Sequence, residues 1–220
     1  MIFSSLTFDE APRAILDYKL PLKSYTPIDL SVTNKELRNL DIANPHGCQE
    51  YIEKILKRNK AQVAYGGYLE KRNLYSSNRF SVGNQRNIHL GIDFWCKAGT
   101  VVHAPINGKV HSFKNNEDMG NYGPTIVLEH LMGVNSFYTL YGHLAIASLN
   151  DLYIGKQFKK GEILGALGTT DINVNYAPHL HFQIIEDIGN YRGDYPGVCN
   201  EKDLDFYKRN CPDPNLLFKL

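Results

Sequence analysis

Five polar side chains fall into three short clusters whose residue types could hold and use a metal ion. The clusters are His89-Leu90-Gly91-Ile92-Asp93, Tyr141-Gly142-His143-Leu144 and Pro178-His179-Leu180-His181-Phe182. On an extended chain, side chains an even number of residues apart share a face. His179 and His181 therefore point the same way, with Leu180 turned into the apolar layer. His89 and Asp93 also share a face, and Gly91 between them permits a close backbone approach. Two imidazoles and one carboxylate suit a tetrahedral zinc, one per chain, that keeps its fourth position for water. A structural site would add a fourth protein ligand, usually cysteine, but the nearest, Cys96, is an odd number of residues from Asp93 and would point away. His143 and His179 are then left to handle protons. A zinc-bound water has its pKa lowered to about 7, so a neutral imidazole can complete its deprotonation. The same rings can donate to a leaving amine or to an oxyanion. Such a site amounts to metal-assisted hydrolysis.

Spacing alone leaves packing as a competing reading. H-x-x-x-D recurs by chance, and H-x-H in a strand ligates a metal in only a minority of cases. His103, His111 and His130 also lie in strand-like segments and read as ordinary core or surface histidines.

The elements that must position these groups are short strands. Thr125–His130, Ser136–Tyr141 and Phe182–Ile185 alternate as strands do, and no helical period survives between residues 88 and 186. Asn107-Gly108, between Thr100–Pro105 and Lys109–Phe113, predicts a hairpin, because both turn residues tolerate positive φ. The N-terminal part reads differently. Asn34–Leu40 predicts a short helix. Asn44-Pro45 supplies an N-cap and a first-turn proline to a second one, whose Tyr51, Ile52, Ile55 and Leu56 make an apolar stripe. The expected class is α+β: a helical N-terminal extension over residues 1–65, a predominantly antiparallel β domain over 66–188, and a wrapping tail over 189–220.

Lys and Arg number 24 against 23 Asp and Glu, so no positive field exists to select nucleic acid or an anionic membrane. No apolar run approaches the roughly 20 residues of a transmembrane helix. Met1–Leu6 meets Asp9 and Glu10 at once, without the basic and apolar regions of a secretory signal, so the chain as written is expected in the cytoplasm, with export by another route left open. Cys48, Cys96, Cys199 and Cys211 contain no C-x-x-C pair and read as four thiols, a Cys199–Cys211 bridge being the alternative in an exported protein.

Over about residues 86–186 the chain resembles the M23 family of zinc metallopeptidases, the lysostaphin and LytM type. The resemblance is carried by His89–Asp93, Ala98–Val102, Gly108-Lys109-Val110, Ile126–His130, Tyr141–Leu144, Gly155–Gly165 and Ala177–Phe182, in the expected order. It implies that His89, Asp93 and His181 are zinc ligands, that His143 and His179 are catalytic, and that the substrate is a peptide of peptidoglycan type or one containing glycine or D-alanine. Some family members lack ligands and act as binding partners, whereas every ligand position is filled here. In others an upstream asparagine occupies the fourth zinc position, a role for which Asn44 and Asn73 are the candidates. Two departures stand out: a bulky loop, Gly168–Tyr176, before the last cluster, and Gln183 where many members have glutamate. Gly67–Tyr75 and Cys211–Leu217 resemble a subgroup whose members include segments fused between kinase-like and class III aminotransferase-like domains. That subgroup commonly lacks export signals, which keeps an intracellular hydrolase of small amides beside the peptidase, together with a zinc-loaded but non-hydrolytic binding module. Arg86 and Tyr68 read as a surface salt bridge and a packed aromatic, with substrate orientation as the alternative.

Overall fold

In the computed structural model, which describes residues 14–17, 19–73, 86–118, 120–173 and 176–220, helix α1 (Pro45–Asn59) starts where Asn44-Pro45 places it. The Asn44 side chain accepts from the His46 amide, so one of the helix's orphan donors is satisfied. Cys48, Tyr51, Ile52 and Ile55 form its buried face, against Ile28, Leu30, Leu37, Trp95 and Ala177. The short helix expected over 34–40 is a single 3₁₀ turn, Lys35–Leu37. Asp9 and Glu10, Leu74 and Tyr75, and Val174 and Asn175 of the bulky loop lie outside the described residues.

The strands among the described residues are, in chain order, β1 (Tyr25–Pro27), β2 (Val63–Gly66), β3 (Ile88–His89), β4 (Ile92–Trp95), β5 (Val101–His103) and β6 (Gly108–Asn116). They continue with β7 (Gly123–Met132), β8 (Asn135–Gly142), β9 (Gln157–Phe158), β10 (Ile163–Ala166), β11 (His179–Ile185) and β12 (Val198–Cys199). Eight of them form one sheet in the order β1-β2-β4-β11-β8-β7-β6-β9. Every neighbour is antiparallel except β1 and β2, which pair parallel and tie the N-terminal region to the sheet edge. The class is therefore α+β with an antiparallel core. Its centre is β11, buried along its whole length between β4 and β8. Phe182 and Ile184 enter the main core with Phe94, Ile126, Leu128 and Tyr141.

The hairpin expected at Asn107-Gly108 does not form. β5 pairs with β10, and β6 pairs with β7 and β9. Gly108 has no positive φ; a Cβ there would come within 2.7 Å of the His130 ring, so the residue serves a close approach rather than a turn. The Asn107 side chain accepts from the Lys160 amide at 2.7 Å, fixing the chain as it leaves for a different sheet.

Residues 189–220 carry β12, paired with β3, then helices α2 (Leu204–Asn210) and α3 (Asn215–Phe218). Leu217 reaches the main core, and Cys211 is buried beside Leu90 and Ile185. All four cysteines are unbridged.

His130 makes a testable contribution to acid stability. Its ring lies between the Asn107 carbonyl, 2.7 Å from Nδ1, and the Thr139 hydroxyl, 2.6 Å from Nε2. Burial pushes its pKa down to about 4, against the opposing pull of the Asn107 carbonyl and Glu129. The unfolded chain takes up a proton near pH 6.5 that the folded chain refuses until about pH 4. Stability is thus intact above about pH 6.5 and is lost as pH falls towards 4, by up to about 3 kcal/mol. Urea denaturation of metal-free protein at pH 7 and pH 4.5 should show a smaller acid loss for His130→Gln than for the parent chain.

Candidate metal centre

Strand register brings the first and third clusters together. β4 and β11 run antiparallel with Asp93 directly opposite His181, and His179 opposite Trp95. His181 faces Gly142 on its other side, so His143, the next residue, emerges at the same end of the sheet. His89 ends β3, and Gly91 lets that segment close onto β11. A Cβ at Gly91 would come within 2.6 Å of the Phe182 carbonyl oxygen and 2.7 Å of the His181 ring. His143 has φ +62°, in the left-handed region. It is held there by its amide donating to the Tyr122 carbonyl and its carbonyl accepting from the Gly168 amide.

His89, Asp93 and His181 form one buried cluster able to hold a metal ion. His89 Nε2 is 2.9 Å from His181 Nδ1 and 3.3 Å from Asp93 Oδ1, and His181 Nδ1 is 3.1 Å from the same oxygen. The opposite ring nitrogens decide what these atoms are. His89 Nδ1 lies 2.9 Å from the Gly67 carbonyl, which can only accept, so Nδ1 carries the proton and Nε2 a lone pair. Gln183 Nε2 donates to the Pro196 carbonyl and to Cys211 Sγ, at 3.1 and 3.2 Å. That turns Gln183 Oε1 to His181 Nε2 at 3.1 Å, so His181 also presents a lone pair, at Nδ1. Two lone pairs and a carboxylate oxygen thus converge with no donor among them. A cation resolves that repulsion. A tetrahedral ion with bonds of about 2.0–2.1 Å keeps its ligands about 3.3 Å apart, close to the separations here. The carbonyl–imidazole and amide–imidazole pairs are the outer partners such ligands require.

His143 and His179 complete the group. Their ring centroids are 4.1 Å apart. His179 donates from Nδ1 to the Ala177 carbonyl at 2.7 Å and stacks on Trp95, leaving Nε2 4.0 Å from Asp93 Oδ1. His143 Nδ1 is buried without a hydrogen-bond partner among the described residues. Burial, with His179 and His181 nearby, pushes the His143 imidazole well below its usual range. Burial also lowers His179, partly offset by Asp93. Both rings are neutral at neutral pH. For Asp93, burial alone would raise the carboxyl, but the charges facing it, with the Arg72 guanidinium the permanent one, hold the group well below the carboxylate range. Tyr122 packs against His181 and His143, with ring centroids 4.9 and 5.9 Å away, and Tyr176 lies edge-on to His143 and His179.

The five residues singled out in the three sequence clusters all meet here, but other predictions need correction. Asn44 is exposed at the cap of α1 and Asn73 is exposed too; it is the neighbouring Arg72 that reaches Asp93, through Nη1 to Oδ2 at 2.6 Å. Arg86 donates to the Val198 carbonyl, with no salt bridge among the described residues, whereas Tyr68 is part-buried as a packed aromatic should be, its hydroxyl donating to the Cys211 carbonyl. Trp95 and Gln183 were accessible by the same parity, being two residues from Asp93 and His181 respectively. Glu70 and Arg72 had no such signal, since a charged pair beside glycine reads as a solvated turn.

The family model for peptidase family M23 matches residues 87–193. Lysostaphin of Staphylococcus staphylolyticus is 31% identical over 109 residues, 50% of this chain and 21% of that protein. An uncharacterized metalloprotease of Haemophilus influenzae is 32% identical over 107 residues, 49% of this chain and 20% of that protein. The glycyl-glycine endopeptidase ALE-1 of Staphylococcus capitis is 34% identical over 110 residues, 50% of this chain and 28% of that protein. The chain thus spans less than a third of the length of these curated relatives. Among solved structures, the catalytic domain of lysostaphin from Staphylococcus simulans is similar with a TM-score of 0.38 at 25% identity, over 66% of this chain and 88% of that one. Residues 87–193 of the chain thus match peptidase family M23, and lysostaphin-type proteins are among the proteins similar to it.

Proposed function

We propose that the chain is a zinc-dependent endopeptidase that cleaves peptides of peptidoglycan type, particularly those rich in glycine or D-alanine. The observation that carries this reading is the convergence of His89 Nε2, His181 Nδ1 and Asp93 Oδ1 with no donor between them, beside two neutral imidazoles that are not part of the triad. His89, Asp93 and His181 would hold the ion. Zinc bound there would supply a Lewis acid and a water of lowered pKa. His179, its Nδ1–H fixed on the Ala177 carbonyl, offers Nε2 as the proton acceptor. His143 brings a ring nitrogen that has no hydrogen-bond partner among the described residues, able to steady the developing oxyanion or protonate the leaving amine. Trp95, Tyr122 and Tyr176 wall the site with flat surfaces that favour a narrow, small-residue backbone. A relative named as a glycyl-glycine endopeptidase supports the same substrate class.

A second reading, hydrolysis of small amides, draws support from one feature: all five side chains are less than a tenth exposed. Mass spectrometry after incubation with pentaglycine, muropeptides and small amides separates the two. Cleavage of a peptide bond in the first two, lost on chelation and restored by zinc, is the expected result. A zinc-loaded chain that cleaves none of the three overturns the enzymatic reading and leaves a binding module.

A further inference from the structure

The ion pair of buried Arg72 with part-buried Glu70 has no part in the chemistry above, yet it stands directly behind a proposed metal ligand. Arg72 is only 2% exposed, and its guanidinium lies 5.4 Å from the centre of the Trp95 ring. Nη1 donates to Asp93 Oδ2 at 2.6 Å, and Nε donates to Glu70 Oε2. Glu70 Oε1 accepts from the Leu30 amide at 2.9 Å, so the chain of bonds runs from the N-terminal region to Asp93. The guanidinium passes where a side chain at residue 67 would be: a Cβ on Gly67, which has φ +107°, would come within 1.8 Å of Arg72 Nη2 and 3.0 Å of His89 Nδ1. One turn therefore seats both Arg72 and His89.

We propose that Arg72 and Glu70 are positioning residues of the metal centre: Arg72 confines Asp93 to a single ligating oxygen, Oδ1, and Glu70 cancels the charge that Arg72 would otherwise set against the ion. This rests on the metal reading above. With Oδ2 held by Nη1, the carboxylate cannot turn to present both oxygens, and the site keeps a position open for water. The charges of Glu70, Arg72 and Asp93 sum to minus one before metal binds. Without Glu70 they sum to zero, and a buried guanidinium beside the ligand competes with the ion for the carboxylate, unscreened by solvent.

Zinc affinity of the full chain, measured by competition with a chromophoric chelator, and the visible spectrum of its cobalt(II) form test both halves. Glu70→Gln should weaken zinc binding about tenfold or more. Adding Arg72→Met to it should recover affinity, because the uncompensated cation is gone. Arg72→Met alone should change the cobalt spectrum from the intense bands of four-coordination to the weaker ones of five, as Asp93 becomes free to bind through both oxygens. Should Glu70→Gln fail to fold, Arg72→Lys serves instead. It keeps the charge but loses the fork, so affinity stays within a few fold while the spectrum shifts. A purely structural ion pair predicts no recovery in the double variant and no spectral change, and either outcome overturns the proposal. If the parent chain itself binds no zinc at these residues, the metal reading fails as well; parent binding with unresponsive variants defeats this inference alone.

Discussion

Alanine in place of His143 or of His179 lowers peptide turnover by about 10²–10⁴-fold, the usual contribution of a positioned acid or base, while each variant keeps about one zinc per chain. The distances separate the two roles. The triad atoms lie 2.9–3.3 Å from one another, the spacing of atoms around one small ion. His179 Nε2 stands farther off, 4.0 Å from Asp93 Oδ1, within reach of a proton on a water or substrate between them. His143 joins through its ring, 4.1 Å from His179 between centroids. Steady-state kinetics checks the first half of the expectation, and elemental analysis of the same preparations checks the second. A variant that loses its metal along with its activity would make that histidine a ligand, contrary to this division.

Asp93→Ala has the other large effect, and it strikes stability as well as metal binding. Removing the carboxylate takes away one of the three proposed ligands and the counter-charge nearest to the buried Arg72 guanidinium. Breaking a buried ion pair on one side costs about 3–5 kcal/mol, because the remaining charge stays desolvated. The surviving contact with Glu70 places the expectation at the low end of that range. Asp93→Asn keeps an acceptor for Arg72 and should lose less stability while still binding zinc poorly. Both variants must be denatured in chelator, so that metal bound only by the folded parent does not inflate the difference. Equal stability of Asp93→Ala and the parent under those conditions would mean that the guanidinium draws nothing from Asp93.

How much of this was legible in the sequence depended on whether a signal was local. Parity along a strand put His179 and His181 on one face, and the same rule joined His89 to Asp93 across Gly91. Asn44-Pro45 marked a helix start because capping involves only neighbours. The Asn107-Gly108 hairpin failed for the complementary reason: the local turn preference was overruled by β5 pairing with β10 and by the His130 ring pressing on Gly108. Arg72 and Glu70 were illegible because their burial depends on a glycine turn meeting Asp93 from 21 residues upstream. The ring tautomers were equally hidden, set as they are by the backbone carbonyls of Gly67 and Pro196, which carry no sequence signature.

Anomalous diffraction at the zinc edge, from crystals of the full chain grown with the metal, goes straight to the central claim. One peak per chain, bounded by His89 Nε2, Asp93 Oδ1 and His181 Nδ1, is the predicted result. A peak ligated by His143 or His179 instead, or no peak at the triad in zinc-saturated crystals, would contradict it.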